Sequence, residues 1–213
     1  MNYYSLFIII GSIFVVVYCA LQKTIREGLT TQDKIILIGD SVLENSKYIT
    51  SDKSVFNILK TKIQNVHDYA TDGATIVECY SQLDKIPIEL DSPNTYIFIS
   101  VGGNNLLNAP NSSESTVDEL FKKLTTFIQT VQTKFPNSKI RVLNLYLPFN
   151  PRYKSYKNAV DQWNQHLVEN KNKLKYNVVD INTLLIQQTD FVYDIEPSES
   201  GAEKIADAIY ATR

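Results

Sequence analysis

The strongest constraint on the fold lies in short segments that are apolar at successive positions rather than at alternate ones. Lys34–Gly39 (KIILIG) and Asn94–Val101 (NTYIFISV) are of this kind, and each runs into glycine, at Gly39 and at Gly102-Gly103. Lys139–Leu147, interrupted by Arg141 and Asn144 and closed by Pro148, reads as a strand of the same buried type. Segments of this length, rich in aliphatic and β-branched residues and bounded by turn formers, read as buried strands. Helical repeats stand between them. Ile76–Leu83 is one. The best is Ser115–Phe135, where Val117, Leu120, Phe121, Leu124, Phe127, Ile128 and Val131 recur every three or four residues. Tyr156–Leu174 and Gly201–Tyr210 follow, while Lys62–Tyr69 and Tyr176–Ile181 supply two shorter strands. Val42–Lys60 reads as a loop leading into a helix. Strands apolar on both faces, alternating with helices, imply a parallel sheet covered on both sides. The expected fold is a doubly wound, flavodoxin-like α/β domain over residues 34–213, with about five strands.

A second constraint precedes that domain. Tyr3–Leu21 (YYSLFIIIGSIFVVVYCAL) contains no charged side chain. As a helix its roughly 19 residues span ~28 Å, close to the hydrocarbon thickness of a bilayer. A cleaved signal peptide would want a positive start and a shorter apolar core, and Met1-Asn2 supplies no Lys or Arg. Residues 1–22 are therefore expected to form an uncleaved transmembrane anchor and residues 23–33 a juxtamembrane linker, which makes this a single-pass membrane protein. Lys23, Arg26 and Lys34 all follow the apolar run and favour a cytoplasmic domain. Asn111-Ser112-Ser113 is a glycosylation sequon that would matter only on the opposite side, so the side stays open. A net charge of −2 with no basic cluster argues against a nucleic-acid surface. Cys19 falls in the apolar run and leaves Cys79 without a partner, and Cys-and-His metal spacing is absent. No disulfide framework, metal or other cofactor is expected.

Ligands of doubly wound sheets bind beyond the carboxyl ends of the strands. The loops there are Gly39–Leu43, Ala70–Thr75, Gly102–Asn108, Pro148–Tyr153 and the segment after Ile181. Gly39-Asp40-Ser41 places Ser41 at the mouth of the sheet, beside a segment able to start a helix, where free N–H groups favour negative charge. Taken alone, the stretch is explained as well by Asp40 or Ser41 capping that helix. The convergence of three glycine-bearing loops on one edge moves Ser41 beyond a cap.

Gly39-Asp40-Ser41 after the first strand, Gly73 after the second and Gly102-Gly103-Asn104 after the third resemble the first three sequence blocks of the SGNH (GDSL-type) hydrolases. The resemblance covers Lys34 to the C-terminus. It implies that Ser41 is the nucleophile of acyl transfer, with an oxyanion hole made by the backbone N–H groups of Ser41 and Gly73 and the side-chain amide of Asn104. Those residue types suit the roles: glycine lets backbone approach the reacting oxygen, and a carboxamide is a neutral donor. Preorganised donors of this kind are commonly worth ~3–4 kcal/mol in the transition state. Asp40 is expected to hold the turn. The implied activity is an esterase or acylhydrolase acting on a small ester, an acetylated glycan or a lipid, held near its substrate by the anchor at residues 3–21.

The fourth block departs from the family pattern, which carries Asp-x-x-His-Pro before the last helix. The matching stretch is Tyr193-Asp194-Ile195-Glu196-Pro197-Ser198, so Glu196 stands at the histidine position and Tyr193 at the aspartate position. Asn105 also stands where the third block often has Asp. A serine hydroxyl needs a base with a pKa near the working pH, and an unperturbed Glu, at about 4.3, is a weak one. Three readings follow. Glu196, with Asp194, acts directly as a carboxylate base; or His67 or His166 comes in from elsewhere; or the pocket survives as a catalytically degenerate carbohydrate- or acyl-binding module. For Asp194 and Glu196 the plain alternative is stabilisation of the helix N-terminus that follows, with Ser198 as its cap.

Overall fold

A computed structural model describes residues 33–109 and 113–213. The anchor expected at residues 1–22, nearly all of the linker and the Asn111 sequon lie outside the described residues. Among the described residues no helix is long and apolar enough to cross a membrane.

Five parallel strands form one sheet: β1 (Lys34–Gly39), β2 (Asn65–Asp68), β3 (Thr95–Ser100), β4 (Lys139–Leu143) and β5 (Tyr176–Val179), in the order β2-β1-β3-β4-β5. The expected α/β architecture is present, with β1 and β3 at its centre and in register from Lys34–Thr95 to Gly39–Ser100. Alternate residues of each central strand feed opposite faces. Ile36, Ile38, Ile97 and Ile99 pack with α2 (Ile76–Asp84), α4 (Glu114–Lys134) and α5 (Lys157–Asn170). Ile35, Leu37, Tyr96 and Phe98 pack with α1 (Val55–Lys62) and α6 (Glu199–Thr212) on the other face. Successive apolar residues are thus the direct consequence of a sheet with helices on both sides.

Three local features differ from the sequence reading. No helix starts at Ser41: the N–H groups of Leu43 and Glu44 close a single turn onto the Asp40 carbonyl, and the first α-helix begins at Val55, after a 3-10 turn at Ser51–Lys53. The strand expected over Lys139–Leu147 ends at Leu143. Beyond it, side chains take over the ladder, with Asn164 Oδ1 accepting the Leu145 N–H at 2.8 Å and Asn182 Oδ1 that of Leu147 at 3.3 Å. Finally, a short helix α3 (Gly103–Asn108) and a two-stranded antiparallel hairpin, β6 (Phe191–Val192) with β7 (Glu196–Pro197), lie where loops were read.

Candidate active site

The end of β1 is clamped before it turns. The carboxamide of Gln82 on α2 accepts the Gly39 N–H at 2.8 Å and donates to the Gly39 carbonyl at 2.9 Å, as a neighbouring strand would. Gly39 has φ +147°, and a Cβ there would lie 1.9 Å from the Ser100 carbonyl oxygen, so only glycine lets β1 and β3 approach this closely. Asp40 then holds the turn. Its Oδ1 accepts the Val42 N–H at 3.2 Å and the Ser100 hydroxyl at 3.1 Å. Burial pushes the Asp40 carboxyl up to about 7; these two donors oppose the shift and the nearby Glu196 adds to it.

Ser41 leaves this turn into a cavity of about 160 Å³ whose polar edge is made by Asp40, Ser41, Asn104 and Glu196. Glu196 comes from β7, on the far side of the chain from Ser41. Its carboxyl is raised above the ordinary range by burial first, and further by the charge of Asp72. The Ser41 hydroxyl interacts with it and favours the ionised form, lowering the pKa in part. Oε2 of Glu196 is sealed from solvent and has no hydrogen-bond partner.

Asn104 opens α3 next to Gly102, whose φ is +122° and whose missing Cβ would fall 2.3 Å from the Trp163 ring. The Asn104 amide donates to the Ala74 carbonyl at 3.1 Å, which ties the third strand's loop to the second strand's loop. Asn105, which stands where the family pattern often has Asp, accepts the Ile76 N–H on its Oδ1 at 3.1 Å, at the start of α2. Gly73 sits in the same loop with φ +76° and open space where a Cβ would be, but it is not among the residues lining the cavity.

Three candidates named from the sequence, Asp194, His67 and His166, stand apart from the cavity. Asp194 occupies the exposed hairpin turn and pairs with Arg152 at 3.4 Å. Neither histidine lines the cavity. His67 lies on the edge strand β2 opposite Ile36, its pKa lowered by burial and then by Lys34. His166 Nε2 meets Asp118 Oδ1 at 2.8 Å on the outer helices. Ser198 does cap α6, accepting the Gly201 N–H at 3.2 Å. Sequence reasoning missed Tyr146, whose hydroxyl donates to the Ile195 carbonyl at 2.8 Å and so positions the residue before Glu196. Its phenol is held well above its usual value, by burial first and then by Glu196 and Asp40. Nothing short of the folded hairpin marks that tyrosine. Among the described residues no group of three or more His, Cys, Asp or Glu side chains could hold a metal ion.

The same architecture recurs in solved structures. A lipolytic protein of the G-D-S-L family from Veillonella parvula DSM 2008 matches with a TM-score of 0.68 at 20% identity, over 84% of this chain and 96% of that one. An acetyl xylan esterase, AlAXEase, matches at 0.64 and 12% identity, over 84% and 98%. Phospholipase A1 from Streptomyces albidoflavus NA297 matches at 0.61 and 14%, over 85% and 99%. At these identities the likeness is one of fold. By sequence, no curated protein matches the chain. The profile of the GDSL-like lipase/acylhydrolase family, however, matches residues 37–204, from within β1 to within α6. The chain belongs to the GDSL-like lipase/acylhydrolase family.

Proposed function

We propose that this protein is a membrane-anchored serine esterase or acylhydrolase in which Glu196 replaces histidine as the base of Ser41. The observation that carries the reading is the Ser41 hydroxyl interacting with the half-buried Glu196 carboxyl, which burial raises, in the cavity that also holds Asn104. Family membership supports ester chemistry, and the acetyl xylan esterase and phospholipase A1 among the fold neighbours indicate the range: a small ester on a glycan or a lipid. The uncharged segment Tyr3–Leu21 supports the anchor.

In this mechanism Ser41 Oγ attacks the ester carbonyl as its proton passes to Glu196. The oxyanion is held by the Ser41 N–H group and by the Asn104 amide, which spends one N–H on Ala74 and has a second to give. Collapse breaks the ester C–O bond, and Glu196 returns the proton to the leaving alcohol. Water then gives a proton to Glu196 and attacks the acyl-serine, releasing the acid and restoring Ser41. Burial is what makes a carboxylate usable here, because it lifts the base toward the working pH. Asp194, paired with Arg152, stabilises the hairpin rather than the reacting atoms.

One observation favours a second reading, a degenerate acyl- or carbohydrate-binding module: no imidazole reaches the cavity. Hydrolysis of short p-nitrophenyl esters by the full chain, Ser41→Ala and Glu196→Gln separates the two. The enzyme reading requires at least a hundredfold loss in both variants. Wild type no faster than Ser41→Ala establishes the binding module, and a fully active Glu196→Gln removes the carboxylate base. Glu196→His restoring or raising the rate would identify an otherwise intact hydrolase site.

A further inference from the structure

We infer that the acyl group taken by this site is an apolar chain of about six carbons, rather than an acetyl group or a sugar. This rests on the hydrolase reading above and adds the substrate class to it. Away from its polar edge the cavity is walled by carbon: Leu106, Leu107, Leu145, Pro148, Val160 and Ile195. Three tyrosines, Tyr146, Tyr153 and Tyr156, add ring carbon to this wall, and two of their hydroxyls already take part in hydrogen bonds. Tyr146 gives its proton to the Ile195 carbonyl at 2.8 Å, and Tyr153 accepts from Arg152 Nη2 at 2.5 Å. Recognition of a sugar calls for several convergent polar groups, and beyond the polar edge this wall offers little besides the Tyr153 proton and the Tyr156 hydroxyl.

Size points the same way. The cavity measures about 160 Å³. An apolar protein cavity of about 150 Å³ accommodates benzene, a molecule of six carbons. An acetyl methyl would leave most of the wall without partner atoms, losing the dispersion contacts that a longer chain gains. The chain would run from the Ser41–Asn104 edge along Leu106 and Leu145 toward Val160, near the start of α5. Val160 is buried, whereas Leu107 is only half-buried, so they bound the cavity at a packed and at a more open position.

The test uses the full chain and p-nitrophenyl esters from acetate to decanoate. Each methylene buried in the cavity is expected to raise kcat/KM about fourfold, so hexanoate should exceed acetate by roughly 200-fold, with no further gain beyond octanoate. Val160→Phe, and independently Leu107→Phe, should cut hexanoate turnover at least tenfold while leaving acetate within about twofold, moving the optimum to shorter acids. Acetate turned over as fast as hexanoate by wild type overturns the inference and leaves the hydrolase reading standing. A second arm needs no turnover: calorimetric binding of hexanamide and acetamide to Ser41→Ala. Hexanamide at least tenfold tighter, with the difference lost in Val160→Phe or Leu107→Phe, supports the acyl pocket even if no ester is hydrolysed. Equal binding of the two amides overturns it.

Discussion

Asp40 is buried where a charge is costly, and replacing it by asparagine isolates that cost. Asparagine keeps the oxygen that accepts from Val42 and Ser100 and removes only the ionisation. The carboxyl is lifted from 3.8 to about 7 on folding. The sign follows from linkage. A group with a raised folded pKa contributes stability that is fully present below about pH 4 and is lost as pH climbs through about 7. Three units at ~1.4 kcal/mol each give ~4 kcal/mol across the window, of which ~2.5 kcal/mol falls between pH 5 and pH 8. For a domain of this size that is a fall of ~5–10 °C in Tm over those three units. Glu196, and Asp68 at about 6, are raised in the same direction, so part of the slope belongs to them. Asp40→Asn should therefore match wild type near pH 4, exceed it by ~4 kcal/mol above pH 8, and lose more than half of the pH 5–8 slope. Urea unfolding at pH 4, 5, 6.5 and 8, read by fluorescence of Trp163, measures this directly. An unchanged slope in the variant would refute the assignment of that buried charge to Asp40.

Two more expectations concern the site and its frame. The acid limb of the pH–rate profile should lie above the ordinary carboxylate value near 4.3 and belong to Glu196, because burial raises its pKa and only the ionised form accepts the serine proton. In Glu196→His the limb should move toward 6.5, and a profile identical in the two proteins would show that another group titrates. Gly102→Ala drives a methyl to 2.3 Å from the Trp163 ring at a φ of +122°, so unfolding experiments should show a loss of ~2–4 kcal/mol together with reduced ester turnover through the displaced Asn104.

How much could be read from the chain beforehand depends on how local the cause is. The central strands were legible because burial on both faces leaves every position apolar, as Ile35–Ile38 shows. The long helix α4 was legible because its buried residues repeat at helical spacing. The hairpin 191–197 was not, since two-residue strands have no period and its turn uses Tyr193 and Asp194 at positive φ, without the glycine that usually announces one. In the site, the glycine-bearing strand ends predicted the company of Ser41 and Asn104, and the family pattern pointed to Glu196. The separation of Asp194 from the cavity was hidden because its partner, Arg152, is 42 positions away in sequence and meets it only in the fold. The exclusion of both histidines was hidden for the same reason: Asp118 claims one, and the edge strand carries the other.

The hairpin also separates two levels of durability. Ser41 leaves the central strand of a sheet whose opening requires the whole domain to unfold. Glu196 rides on two short antiparallel strands held by the Tyr146–Ile195 hydrogen bond, the Arg152–Asp194 pair and the Tyr48–Tyr193 ring contact at 5.9 Å. That turn holds two consecutive side chains in the left-handed region, at ~1–2 kcal/mol each. The hairpin is thus the natural site of a sub-global opening. Its amides should exchange with solvent well before those of β1 and β3, and Ser41 and Glu196 would part company while the sheet stays intact. On the proposed mechanism, heat would then silence ester turnover below the melting temperature, reversibly, as the hairpin closes again on cooling.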